Sequence, residues 1–358
     1  MSPIVRAFRL STLALALAAP ATVHAQTQAQ GPTQGAGPPW PAEVSVPSSR
    51  RVKFTSAVNG ESYTLFVRVP ATPPPPGGYP VLYVLDGDFL FGTAADAGLA
   101  IGDPSRTPIV VAIGHGLFDD MDVVTRYSKR PPGVSGPVGI GDIGSANSAL
   151  RFHDYTLPVA ADHRAPAWTG LTPQDAGGVD DFLKVIETEV KPRVAALAPV
   201  NAGNQALFGH SIGGLAVLRA LFTEPGAFRT FIAASPSIWW DADAVLKGET
   251  AFAGAVQSGR ASPRVLICVG AEEPDSPNPP QAFIDSLPAK MKTELGDYLK
   301  MADHWSGMVS GARALSDRLG KLQSGPAYKV QFVAFDGETH GTVPFAALSR
   351  GEQFAFVQ

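Results

Sequence analysis

The chain has 358 residues, with 28 Lys and Arg against 32 Asp and Glu, 7 His and a net charge of −4. Hydrophobic residues make up 45% and charged residues 17%, a globular balance that leaves no basic excess for gripping nucleic acid or anionic lipid. The single cysteine, Cys268, excludes an intramolecular disulfide, and no CxxC, HExxH or clustered His/Asp spacing points to a metal.

Read in chain order, Arg6 and Arg9 precede an apolar run at 10–19 that is too short to span a bilayer. Val23-His24-Ala25 then places small residues where a signal peptidase reads. The sequence therefore predicts a signal peptide over 1–25 and a periplasmic or secreted mature chain. Residues 26–42 are rich in Gln, Gly, Pro and Thr; they offer little apolar surface against ordering entropy and read as a disordered leader. One domain is expected over 43–358, and no later apolar run is long enough for stable membrane insertion.

Extended runs at 52–55 and 63–69 flank Asn59-Gly60, a hairpin signal. Short, β-branched, nearly all-apolar runs follow at 81–85, 109–113, 206–208, 231–234, 265–269 and 330–335. Such runs suit strands buried on both faces of a mostly parallel sheet. Cys268 sits in one of them and reads as a small core residue. Helical patterns occupy 179–197, where Pro192 should end or kink the helix, then 214–223 and 301–322. Strands alternating with helices after an antiparallel start give an α/β fold. Residues 129–148, rich in Gly, Pro and Ser, read as a long irregular loop within a lid-like insertion over about 128–176.

The motif Gly209-His210-Ser211-Ile212-Gly213 matches G-x-S-x-G between a predicted strand and a predicted helix, the context of a nucleophile elbow. A serine there needs a base. In the order Ser, acid, His, only His304 and His340 follow Ser211; His340 lies on the loop after the last strand pattern, where ligands gather in open α/β sheets. His304 sits in a helical pattern and reads as packing or pocket lining, while His115, His153 and His163 precede the serine and are candidates to line the pocket. The acid is expected after strand 265–269, where Glu272, Glu273 and Asp275 compete; Glu338, two residues before His340, is a fourth candidate, and a Ser–His dyad is the remaining alternative. The oxyanion donors are expected at the N–H of Ile212 and in the turn Asp86-Gly87-Asp88, where Gly87 permits a tight bend.

These residues resemble the putative esterase family of α/β-hydrolases, and within it the branch that hydrolyses trilactone siderophores. The likeness is carried by Val58-Asn59-Gly60-Glu61-Ser62-Tyr63, Leu85-Asp86-Gly87-Asp88, Gly178-Val179-Asp180-Asp181-Phe182-Leu183, the serine motif, Ser235-Pro236-Ser237-Ile238-Trp239-Trp240 and Gly337-Glu338-Thr339-His340-Gly341-Thr342-Val343. The resemblance implies an α/β-hydrolase fold and a Ser211–His340 pair. It implies Glu273 as acid, three residues after the strand-end glycine, and Trp239, Tyr155 and Arg151 as substrate-binding residues. It implies no cofactor. The segment Arg151-Phe152-His153-Asp154-Tyr155-Thr156-Leu157-Pro158 departs from the family pattern by Leu157 before the proline. Ester hydrolysis through an acyl-enzyme is the leading expectation, on a siderophore lactone or another bulky acyl or aryl ester. An acyltransferase on the same fold and a noncatalytic binding protein are the alternatives.

Overall fold

The computed structural model describes residues 45–128, 137–159, 172–241, 243–273, 307–322 and 325–358. The predicted signal peptide and leader, His163, Asp275 and His304 lie outside the described residues, as do 129–136 and 160–171 of the predicted insertion.

Eight strands form one sheet: β1 (Ser49–Thr55), β2 (Ser62–Arg68), β3 (Tyr79–Val84), β4 (Ile109–Gly114), β5 (Val200–His210), β6 (Thr230–Ala234), β7 (Arg264–Gly270) and β8 (Lys329–Phe335). Their spatial order is β1-β2-β4-β3-β5-β6-β7-β8. The β1–β2 and β2–β4 pairs are antiparallel and every later pair is parallel. The β1–β2 hairpin forms as expected, but over a longer loop than a two-residue turn. Gly60 takes φ 78° and donates to the Ser56 carbonyl at 3.0 Å, while the Asn59 amide donates to the Tyr63 hydroxyl at 2.9 Å.

The central strands are buried on both faces, and alternate residues feed two cores. Tyr83, Leu207, Phe231 and Val265 pack on one side with helices α4 (Val179–Val185) and α6 (Ile212–Thr223). Leu82, Phe208, Ile232 and Cys268 pack on the other with α1 (Gly87–Leu99) and α9 (Val343–Glu352). Fully burying an aromatic or branched aliphatic side chain contributes about 1.5–3 kcal/mol each, so this two-sided burial fixes the sheet that carries the site. β8 departs from expectation. It is an edge strand, and its residues are only half-buried rather than enclosed on both faces.

Pro192 neither ends the helix nor stops its burial. α4 passes through a π-helical turn at Ile186–Val190 into α5 (Lys191–Leu197). A proline removes one intrahelical N–H donor, and a widened turn is a way to absorb that loss. Among the described residues, the remaining α-helices are α2 (Met121–Tyr127), α3 (Ile140–Tyr155), α7 (Glu249–Gln257) and α8 (Met308–Gly320).

α3 corrects the expectation of an irregular loop. Residues 140–148 form the first two turns of a helix. Gly and Ser lower helix propensity, but Ala146 and Leu150 are buried against Leu117, Val123 and Val124 in a small separate core. At its start the Gly139 N–H donates to the Asp142 carboxylate at 2.8 Å. Tertiary packing outweighs composition here. Leu150→Ala is expected to cost about 2–5 kcal/mol, measurable by urea unfolding; a loss below about 0.5 kcal/mol would mean that α3 is not held by this core.

Candidate active site

β5 ends at His210, and α6 begins at Ile212. Ser211 between them has φ 61° and ψ −121°, a strained conformation for a residue with a side chain. Its N–H donates to the Ala234 carbonyl at 2.9 Å, and its own carbonyl accepts from the Ser237 N–H at 3.1 Å, so the end of β6 braces the bend. The motif glycines carry unequal loads. A Cβ on Gly209 would lie 2.2 Å from the Gly213 carbonyl oxygen. On Gly213 the nearest atom would be an Asp86 carboxylate oxygen at 3.4 Å, ordinary contact, whereas on Gly214 it would be the Pro236 backbone at 2.9 Å. The tight positions are therefore Gly209 and Gly214. Gly209→Ala should push the elbow apart and lower stability by about 1–3 kcal/mol together with Ser211 reactivity; a variant with unchanged Tm and labelling rate would contradict this.

His340 lies on the loop between β8 and α9. Its Nε2 is 2.9 Å from Ser211 Oγ, and its Nδ1 is 2.8 Å from Glu273 Oε2. The loop reaches this place because β7 ends in a glycine: a Cβ on Gly270 would lie 2.4 Å from the Glu338 carbonyl oxygen. That carbonyl accepts from the Glu272 N–H at 3.0 Å. The Glu273 side chain is wholly buried, while the His340 ring is about one-third exposed, 34%. Oε1 of Glu273 accepts from the Gly270 N–H at 2.6 Å and from the Ser235 hydroxyl. Burial alone would raise the Glu273 carboxyl, but the hydrogen bonds from His340, Ser235 and Gly270 outweigh it and hold the group below the usual glutamate range. Among the described acid candidates, Glu273 puts its carboxylate on the ring; Glu272 is exposed, and Glu338 meets this region through its backbone carbonyl.

The oxyanion side is built by β3 and α1. Asp86 sits in the left-handed region at φ 60°, and Gly87 and Asp88 open α1, where the first N–H groups have no intrahelical acceptor. Gly87 cannot be replaced cheaply, since a Cβ would lie 2.7 Å from the β4 backbone at Ala112 and Ile113. The Asp88 carboxylate does not merely end a strand: it accepts from the N–H groups of His115 at 2.7 Å and Leu117 at 2.9 Å. Ile212, whose N–H is the other expected donor, is the first residue of α6.

Four residues expected at the pocket are engaged by the protein itself. Tyr155 is 2% exposed, and its hydroxyl accepts from the Asp86 N–H at 3.1 Å, so it cannot line an open pocket. Arg151 is bound by a fork to Asp86, at 2.7 and 3.1 Å, and to the His210 carbonyl at 3.0 Å. His115 is buried against Asp154 at 3.3 Å and does not line an open pocket, while His153 reaches the same carboxylate at 2.8 Å with 38% of its side chain exposed. Trp239 is half-buried and lines a cleft of about 230 Å³ with Ile238, Leu246 and Met308, a place a substrate could touch. A larger cavity of about 620 Å³ lies between α4 and α6, around an Arg219–Asp180 ion pair at 2.8 Å, and holds no member of the relay.

Sequence reasoning missed three contributors. Ser235, at φ 42°, donates to Glu273; Ser237 Oγ lies 3.4 Å from Ser211 Oγ. His210 packs against His340 with ring centroids 4.6 Å apart and the ring planes tilted by 43°. Burial, then His340 and Arg151, push the His210 pKa far down, so this ring stays neutral beside His340. The Ser-Pro-Ser-Ile-Trp-Trp segment is a visible signal, but its serines have no pattern of their own that marks them as supports.

The family model described as "Putative esterase" matches residues 154–305, which include Ser211 and Glu273 and end before His340. The chain is 30% identical over 312 residues to the ferri-bacillibactin esterase BesA of Bacillus subtilis, covering 87% of this chain and 90% of that one. It is 30% identical over 320 residues to the siderophore triacetylfusarinine C esterase of Aspergillus fumigatus, covering 87% and 94%. Among solved structures, BES protein from Bacillus cereus superposes with TM-score 0.66 at 26% identity, covering 88% of this chain and 99% of that one. The siderophore hydrolase EstB from Aspergillus nidulans gives 0.62 at 28% identity, covering 88% and 98%. The shared topology and this near full-length identity place the chain: it belongs to the "Putative esterase" family of the α/β-hydrolase fold and is a carboxylic-ester hydrolase.

Proposed function

We propose that the chain cleaves the ester bonds of a siderophore, a lactone or another bulky acyl ester, through an acyl-enzyme on Ser211. The observation that carries this reading is the continuous relay Ser211 Oγ–His340 Nε2–Glu273 at 2.9 and 2.8 Å. Ser211 attacks the ester carbonyl while His340 Nε2 takes its proton. Glu273 holds the Nδ1–H tautomer and stabilises the imidazolium that forms. The N–H of Ile212 and those of the Gly87–Asp88 turn receive the developing oxyanion. His340 then passes its proton to the leaving alcohol, and water repeats the cycle on the acyl-enzyme. No step asks for a cofactor.

The substrate class rests on the relatives, two of which are named for their siderophores. The test is kcat/KM across p-nitrophenyl acetate, a feruloyl ester and a catecholate siderophore ester. The siderophore should exceed acetate by at least about tenfold, because contacts remote from the carbonyl supply transition-state binding for large substrates only. A ranking led by the short acyl ester would exclude the siderophore as the preferred substrate and leave a general esterase.

We also propose export, on Arg6, Arg9, the apolar run at 10–19 and Val23-His24-Ala25. Expression of the full chain should yield a mature form in the periplasm or medium that begins at Gln26; N-terminal sequencing that finds residues 1–25 still attached would contradict it.

A further inference from the structure

Three residues in the last turn of α3 reach the oxyanion side of the site, each by a different contact. Arg151 gives the carboxylate of Asp86 a two-pronged hydrogen bond, at 2.7 and 3.1 Å, and with the same terminal nitrogen donates to the His210 carbonyl at 3.0 Å. Tyr155 accepts the Asp86 N–H at 3.1 Å from below. Asp154, fully buried, meets His115 at 3.3 Å, and the N–H of His115 is in turn held by the Asp88 carboxylate at 2.7 Å. The segment that looks like a substrate contact in sequence is thus spent on the protein itself.

The place being held needs holding. Asp86 is a non-glycine residue at φ 60° and ψ 43°, and Ser211 at φ 61° lies one residue after His210. Left-handed backbone at a residue with a side chain persists only when its surroundings over-determine it. One guanidinium bridges these two strained turns: it grips the side chain that precedes Gly87 and the carbonyl that precedes Ser211. A planar fork suits this because it fixes direction as well as distance, which an ammonium cannot do. The Asp86 carboxylate also lies 3.4 Å from where a Cβ on Gly213 would be, so the oxyanion turn and the elbow are in near contact. A shift of the Asp86 turn would move the N–H groups of Gly87 and Asp88 relative to Ile212.

We propose that Arg151 and Tyr155 are positioning residues that set the spacing of the two oxyanion donors, and are not substrate contacts. The inference rests on the reading of Ser211 as nucleophile. If it holds, loss of the clamp degrades the transition state of every ester alike, because the oxyanion is common to all of them.

The experiment is steady-state kinetics of Arg151→Met, Arg151→Lys and Tyr155→Phe on p-nitrophenyl acetate and on a large aryl ester, with the rate of Ser211 modification by a fluorophosphonate as a second readout. Loss of one oxyanion donor costs on the order of 100- to 1,000-fold, so a displaced donor in Arg151→Met should lower kcat by about 100-fold on both esters. KM should stay within about threefold. Arg151→Lys should fall between wild type and Arg151→Met, and Tyr155→Phe should lose about tenfold in kcat. Phosphonylation should slow in parallel, since it too builds negative charge on an oxygen in the hole. If Arg151→Met does not fold, Arg151→Lys and Tyr155→Phe carry the same comparison. A raised KM for the large ester alone, with acetate turnover and phosphonylation unchanged, would overturn the proposal and return Arg151 to the substrate. An active Ser211→Ala would instead overturn the nucleophile on which it rests; an inactive Ser211→Ala with only KM effects at Arg151 would sink the clamp alone.

Discussion

Ser211→Ala should abolish ester turnover and leave the fold in place. Removing the nucleophile from a comparable relay costs about a million-fold in kcat, because the remaining members have no covalent path to serve. The folding cost should be small. The hydroxyl is 2.9 Å from His340 Nε2, whose ring is about one-third exposed, and makes only a long 3.4 Å contact with Ser237 Oγ. The strained φ of 61° is a property of the backbone at the elbow and is borne equally by alanine. Deleting one hydroxyl from this half-buried position, with a partner that can turn to water, should cost about 1 kcal/mol or less, so Tm should stay within about 4 °C. Activity above a few per cent of wild type on p-nitrophenyl acetate would mean the nucleophile lies elsewhere.

Glu273→Gln should be nearly as damaging. A glutamine can keep Oε1 as acceptor for Gly270 and Ser235, which turns its amide NH₂ toward His340 Nδ1. That geometry asks Nδ1 to accept, places the ring proton on Nε2, and leaves nothing there to take the serine proton. The corresponding tautomer error in another Ser-His-Asp enzyme costs about 10,000-fold in kcat, and a similar loss is expected. Glu272→Gln, at an exposed carboxylate one residue away, should stay within about twofold. The stability effect has a definite sign. Glu273 titrates below its unfolded value, so its contribution is present above the ordinary glutamate pKa of about 4.3 and fades as pH falls through the folded value. The Tm gap between wild type and Glu273→Gln should therefore close in acid. A gap that widened as pH fell would contradict the pairing, and wild-type turnover in Glu273→Gln would make the site a dyad.

Much of this is legible in the chain because it follows from period and punctuation. Short, β-branched apolar runs such as 109–113 and 265–269 fall on doubly buried strands, and the glycine at 209 is demanded by an elbow in which a Cβ there would lie 2.2 Å from the Gly213 carbonyl oxygen. His340 can be placed by strand order alone. What cannot be read is what depends on direction in space. Glu272 and Glu273 are adjacent after β7, yet one side chain is exposed and the other is buried against His340, a difference set by the Glu338 carbonyl and the Gly270 N–H. α3 is hidden because its helix rests on Leu117 and Val124, far away in sequence, and not on its own Gly- and Ser-rich composition. The motif around Arg151 and Tyr155 ties both to the site but not to their true neighbour, because a motif records that a residue matters and not what it touches.

The central claim is that Ser211 becomes acylated with His340 as its base. The most direct measurement is intact and peptide mass spectrometry of the full chain after exposure to a fluorophosphonate, run beside Ser211→Ala and His340→Ala. One adduct is expected, mapped to the peptide containing Ser211, absent from Ser211→Ala and formed at least about 1,000-fold more slowly in His340→Ala. An adduct on any other residue, or labelling of His340→Ala at the wild-type rate, would contradict it.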